Sequence, residues 1–147
     1  MPAGYSGTPL VQKLGIKEGH RVAILHAPTP VPKDLRAIPA SVTVRRDLRS
    51  TNLDVIILFV TEQSSLRTQF AAAAARLDPD GGLWVAWPKK ASGIATDVTE
   101  DRVRDVALAA GLVDNKVCAI DQVWSGLRCV YRRADRPSQR RRGPKTE

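Results

Sequence analysis

Apolar residues recur along this chain in two rhythms. Val55–Val60 ("VIILFV") is apolar without a break, the pattern of a central strand covered on both faces. "HRVAIL" at 20–25 and "LWVAW" at 83–87 are further short apolar runs, and "SVTVRR" at 41–46 alternates as a half-exposed strand does. Elsewhere the spacing is helical. From about Glu62 to Arg76 the apolar positions are Leu66, Phe70 and Ala74, followed by Leu77, with Thr61 as the expected cap. A second helix is predicted to start at Thr99, where the hydroxyl caps and Glu100 and Asp101 favour the positive end of the dipole. Its buried stripe is Val103, Val106, Ala107 and Ala110, and Gly111 ends it.

The remaining segments read as shorter pieces. Thr8 ahead of Pro9 opens a helix whose apolar side is Leu10, Val11 and Leu14, and Gly15 stops it. "HAPTPVP" is a proline-punctuated loop, and Lys33–Ile38 forms only a short helix before Pro39. "DPDGG" is expected to make the turn into Leu83–Trp87. Lys116–Gln122 and Leu127–Arg132 flank "VWSG" as an antiparallel hairpin with Trp124 in its turn.

Strands alternating with helices imply an α/β domain of three layers, a mostly parallel sheet with helices on both faces and a C-terminal antiparallel hairpin. Val55–Val60 and Leu83–Trp87 are expected as parallel neighbours, joined by one helical crossover. Only Asp47–Leu53 separates the second strand from the third. Fully extended, that segment reaches roughly 23–25 Å. A parallel return along a strand of about 17 Å is just possible, and an antiparallel placement of 41–46 is easier.

Length and charge narrow the picture further. At 147 residues and 43% apolar, the chain suits one domain, read as 1–132. Its longest apolar runs are too short to span a bilayer, and "MPAGYSGTP" lacks the features of a signal peptide, so a cytoplasmic protein with no membrane role is expected. Cys118 and Cys129 make neither a disulfide framework nor a metal cluster and read as free thiols packed in strands; no metal or cofactor is expected. The net charge is +8, and half of it falls in Arg133–Glu147, where six basic residues meet two acids. That segment, 133–147, reads as a disordered basic tail. It is either a solubilising extension or a weak, non-specific nucleic-acid contact acting through counterion release.

The order of elements is similar to the class I methyltransferase-like Rossmann fold in truncated form. In that fold the methyl donor lies over a glycine-rich turn after the first strand, and the second strand ends in an acid for ribose hydroxyls. Here no glycine occurs between Gly19 and Gly81, prolines fill the turn, and "VTVRRDL" ends in Arg45 and Arg46 with Asp47 beyond. A degenerate methyltransferase is therefore a secondary expectation. The phrases "GYSGTPLVQKLGI", "LFVTEQSSL", "LWVAWPKKASG", "TDVTEDRVRDVALAAGLVDNKVCAID" and "WSGLRCVYR" resemble, in this order, a small bacterial family of unknown function. The resemblance implies a stand-alone Rossmann-like domain and brings no catalytic residues with it.

Candidate chemistry concentrates where "WVAWPKKASG" leaves its strand. In open α/β sheets ligands bind beyond the carboxyl ends of the strands, so Lys89 and Lys90 fall at that rim. Ser92 and Gly93 add a hydroxyl and an approachable backbone, and Thr61 opens on the same rim beside free helix amides. The expectation is a non-catalytic domain that binds an anionic small molecule or a protein partner there, with Trp124 as a possible partner contact or a residue folded onto the sheet edge. His20 and His26 read as core or surface residues; Asp97, Asp114 and Asp121 as turn and cap residues; Ser6 and Ser125 lack a nucleophile-elbow setting.

Overall fold

The computed structural model describes residues 8–132. Both the basic tail and the "GYSG" phrase that holds Ser6 lie outside them. Six strands form one sheet: β1 (Arg21–Leu25), β2 (Thr43–Arg45), β3 (Leu53–Phe59), β4 (Leu77–Pro88), β5 (Leu112–Ala119) and β6 (Trp124–Tyr131). Three helices accompany them: α1 (Leu10–Lys13), α2 (Gln63–Ala74) and α3 (Glu100–Ala109). The strand order is β2-β1-β3-β4-β6-β5. β2, β1, β3 and β4 run parallel, and β6 runs antiparallel to both β4 and β5. The α/β class, the parallel centre and the antiparallel ending are as expected from the hydrophobic pattern.

β3 is buried along its whole length because both faces are covered. On one face Leu53, Ile56 and Leu58 meet Leu66, Phe70 and Ala73 of α2 and Val103 and Ala107 of α3. On the other, Val55, Ile57 and Phe59 meet Leu10, Leu14, Ile16 and Leu35. This second layer is thin: α1 is a single turn, and its companion, Lys33–Ala37, is a 3-10 turn. Trp84 compensates for the missing helix by filling the space itself; it is fully buried, and its indole N–H donates to the Leu14 carbonyl at 3.0 Å.

Local expectations are corrected at five points. First, β2 runs parallel to β1, with Thr43 beside Arg21 and Arg45 beside Ala23. It has three residues instead of six, so the return to Leu53 is short and seven residues suffice. Second, "DPDGG" is not a turn. It lies inside β4 as a bulge, since Leu77 pairs with Leu53 while Gly82 pairs with Val55. Gly81 permits this approach: a Cβ there would stand 2.7 Å from the Asp54 carbonyl and 2.9 Å from that of Leu53.

Third, Thr61 does not cap α2. The helix starts with Glu62 in the cap position and no side-chain bond from it. Fourth, Trp124 is not in the hairpin turn but is the first residue of β6, 6% exposed, with its ring edge-on to Phe59 at 5.0 Å between centroids. It packs against the sheet, the second of the two placements expected for it. Fifth, Ala110 is exposed and Val106 only half-buried, so the buried stripe of α3 narrows to Val103 and Ala107. Thr99 caps α3 as expected, accepting from the Arg102 amide at 3.2 Å.

Candidate functional site at the strand ends

β1 and β3 both end at the same edge of the sheet, and the chain leaves each differently. After β1 it turns at His26, which holds a left-handed backbone (φ 57) without being glycine. After β3 it passes through Thr61 and Glu62 into α2. The space between holds a depression of about 230 Å³ lined by His26, Thr61, Glu62, Ser65, Gln69 and Trp124, with Phe59 and Val60 behind them. Glu62, Ser65 and Gln69 belong to one side of α2, as their spacing of three and four residues requires.

A second depression, about 330 Å³, shares His26 and Gln69 with the first. Leu25, Leu58 and Ala72 form its apolar wall, and Arg46, Asp47 and Leu48 close it from the connection after β2. The two make one crevice beyond the carboxyl ends of β1 and β3, where open α/β sheets hold ligands. Its polar groups are carboxylates (Asp47, Glu62), an amide (Gln69), an imidazole (His26), a guanidinium (Arg46) and two hydroxyls (Thr61, Ser65). Because β2 stops at Arg45, Asp47 comes to the crevice although it lies two residues past the strand. Asp47 also shapes its own turn, accepting the Arg49 amide at 3.1 Å.

The residues singled out from the sequence fall on both sides of this crevice. Thr61 lines it. Its carbonyl is taken by the Thr96 hydroxyl at 2.6 Å, and the amide of Gln63 is taken by the Asp97 carboxylate at 2.8 Å. The protein's own anion therefore sits on the α2 terminus, where a free amide was expected. Lys89, Lys90, Ser92 and Gly93 form a separate turn after β4. The Lys89 ammonium donates to the Asp121 carbonyl at 2.8 Å, and its amide donates to the Val123 carbonyl at 2.7 Å, tying the β5–β6 turn to the end of β4. The Ser92 hydroxyl donates to the Lys89 carbonyl at 2.7 Å and accepts from the Ile94 amide at 3.1 Å, while Gly93 takes the left-handed position (φ 81) that closes the turn. Lys90 is exposed.

Asp121 accepts the amides of Val123 and Trp124, each at 2.8 Å, and Asp114 pairs with Arg104 at 3.2 Å, both in structural roles. His20 accepts the Lys17 amide in the turn before β1. Cys118 and Cys129 are free thiols in β5 and β6, one half-buried and one buried. No three His, Cys, Asp or Glu side chains gather into a metal-holding group among the described residues. His26, Arg46, Asp47, Glu62, Ser65 and Gln69 line the crevice although reading along the chain did not select them as ligand candidates. The available signal was spacing: Asp47 follows His26 by 21 residues, close to the about 20 that separate the first-strand turn from a ribose-binding acid in dinucleotide folds.

Comparison with known proteins is consistent with this architecture. The sequence profile of a family described as "Protein of unknown function (DUF3052)" matches residues 11–133. No curated protein matches the chain by sequence. Among solved structures, a SAM-dependent methyltransferase from Aquifex aeolicus is similar with a TM-score of 0.59 at 12% identity, over 82% of this chain and 86% of that one. The magnesium protoporphyrin IX methyltransferase of Synechocystis PCC 6803, with bound SAH, gives 0.58 at 12% identity, over 83% and 78%. A 1,6-didemethyltoxoflavin-N1-methyltransferase from Burkholderia thailandensis gives 0.54 at 12% identity, over 82% and 73%. At such identities the likeness is one of fold: a methyltransferase-like Rossmann arrangement.

Proposed function

The chain belongs to the DUF3052 family, and from that premise we propose that it is a ligand-binding domain of methyltransferase-like fold whose strand-end crevice takes a nucleoside-bearing small molecule with an anionic group. The observation that carries the reading is the convergence of Asp47, Glu62, Gln69, His26 and Arg46 on one crevice beyond β1 and β3. Carboxylates accept hydrogen bonds from sugar hydroxyls, the Gln69 amide offers both donors and an acceptor to a base edge, and the Arg46 guanidinium suits a carboxylate or phosphate. The methyltransferases of like fold named above, two of them with S-adenosylhomocysteine bound, favour a nucleoside over other polar ligands.

Methyl transfer itself has less support. Where a donor-binding turn needs glycine, His26 brings a Cβ and an imidazole, and Pro28, Pro30 and Pro32 contribute no amide donors. The reading is tested by thermal shift and calorimetry with S-adenosylmethionine, S-adenosylhomocysteine, adenosine and ATP. A ligand at 100 times its Kd should stabilise the protein by about 2.7 kcal/mol. Asp47→Asn with Glu62→Gln should remove that shift while the fold persists, since an asparagine side chain keeps an oxygen for the Arg49 amide. Failure of every nucleoside to bind at millimolar concentration would refute the proposal.

A further inference from the structure

His26 stands at the centre of the strand-end crevice, since it lines both depressions. It is exposed, and it holds a left-handed backbone (φ 57) that a residue with a side chain adopts at a cost. No contact of the fold accounts for that cost, because the imidazole has no hydrogen-bond or ion-pair partner among the described residues. Strain of this kind persists where the position of the side chain serves a ligand. Arg46, on the wall of the second depression, is likewise exposed and without such a partner among the described residues. Its neighbour Asp47 is directed elsewhere, accepting the Arg49 amide at 3.1 Å and lying 3.8 Å from the Arg49 Nε.

An anion at this end of an α/β sheet is ordinarily met by backbone amides of the first turn or of a helix start. Both sources are depleted here. Of the six residues after His26, three are proline (Pro28, Pro30 and Pro32) and carry no amide hydrogen. At the start of α2 the Gln63 amide already donates to Asp97 at 2.8 Å. The Lys89 ammonium is also committed, to the Asp121 carbonyl at 2.8 Å. The side-chain donors that line the second depression are His26, Arg46 and the Gln69 amide. His26 follows β1 and Arg46 follows β2, so the imidazole and the guanidinium reach that space from two neighbouring strands. A carboxylate gripped by a guanidinium fork has both oxygens in the plane of the fork. A phosphate monoester carries three non-ester oxygens in a pyramid and can meet the fork and the imidazole together.

We propose that His26 and Arg46 form a phosphate subsite in the second depression, and that the crevice ligand is a nucleotide, with its phosphate on these two side chains and a sugar hydroxyl on Asp47. The identity of the rest of the ligand rests on the reading of the crevice as a nucleoside site. The backbone cost at His26 is then a cost of ligand binding.

The test uses the full chain at constant ionic strength. Inorganic phosphate is titrated while the NMR signals of the His26 ring and the Arg46 side-chain Nε–H are followed, which separates the subsite from the arginines of the C-terminal segment. Adenosine and AMP are compared by calorimetry. Saturable shifts at both side chains are expected. AMP should bind about tenfold tighter than adenosine, because both side chains are exposed and solvent screens part of each contact. His26→Gly and Arg46→Gln should each reduce that preference to about threefold. Arg45→Gln removes the same charge one residue away, from a different cleft, and should leave the preference intact. Glycine accepts φ 57 without strain, so the melting temperature of His26→Gly should hold within about 2 °C or rise. Phosphate shifts at both side chains with no binding of either nucleoside would uphold the subsite and refute the nucleoside reading. Equal affinity for adenosine and AMP would overturn the subsite and leave the nucleoside reading standing. Phosphate shifts absent from His26 and Arg46, or an equal loss of preference in Arg45→Gln, would also overturn it. A larger fall in the melting temperature of His26→Gly would assign the residue to the fold and overturn its role as well.

Discussion

Asp97 closes the amino end of α2 from outside the helix. Its Oδ1 accepts the Gln63 amide at 2.8 Å, its carbonyl accepts the Gln63 side-chain amide at 2.7 Å, and the Thr96 hydroxyl beside it donates to the Thr61 carbonyl at 2.6 Å. Asp97→Ala removes only the first of these bonds. A lost cap of this type costs about 0.5–2 kcal/mol; Asp97 is exposed, so solvent replaces part of the bond and about 1 kcal/mol is expected. For a domain of this size that is a fall of roughly 3–5 °C in Tm. Asp97→Asn keeps an oxygen in the same place and should lose less than half as much. The freed amide of the Ala protein is also a site for a solvent anion, so sulfate should stabilise Asp97→Ala more than wild type at equal ionic strength. Calorimetry of the three proteins in chloride and in sulfate measures all of this. An unchanged Tm in the Ala protein, or equal losses for Ala and Asn, would refute the capping role.

Other outcomes are expected elsewhere. Lys89→Ala should cost about 1 kcal/mol in urea unfolding because it frees the Asp121 carbonyl, whereas Lys90→Ala should stay within about 0.5 kcal/mol; the reverse order would contradict the assigned turn. Gly81→Ala drives a Cβ into two backbone carbonyls of β3 and should cost about 2–3 kcal/mol by denaturant melts, and a neutral result would rule out the close approach at the bulge. Burial, with Asp114 adding to it, pushes the Cys129 thiol up to about 12 from an ordinary value of 9.0. The folded state favours the neutral thiol, so this contribution is complete below about pH 9 and is lost as pH rises toward 12. Cys129→Ala should flatten that alkaline loss, and a thiol reagent at pH 8 should spare Cys129 in the native protein but not in the unfolded one.

The central strands and the two longer helices were legible along the chain because their causes are local. Val55–Val60 is apolar at every position, which only a strand covered on both faces requires. Thr99 with its two acids announces α3, and its hydroxyl does cap it. Elsewhere the deciding partner is far away in sequence. Turn chemistry of the type in "DPDGG" is overruled because β4 continues past it along β3, and the bulge absorbs the extra residues. The cap of α2 is invisible near Thr61 because it comes from Asp97, 34 residues away from Gln63.

The same division applies to the candidate sites. Residue type and short-range spacing were enough for the class of fold, the core of β3 and β4, and the absence of glycine where a methyl donor would need it. Long-range packing was required to show that Lys89 braces a turn, that Trp124 packs on Phe59, and that His26, Gln69 and Asp47 share one crevice. The nearness of Arg21 and Arg45 at the sheet edge is of this second kind. Arg21 and Arg45 are separated along the chain and meet only because β2 runs parallel to β1, and strand direction is set by the reach of the connecting chain and the burial it permits, which no local pattern encodes.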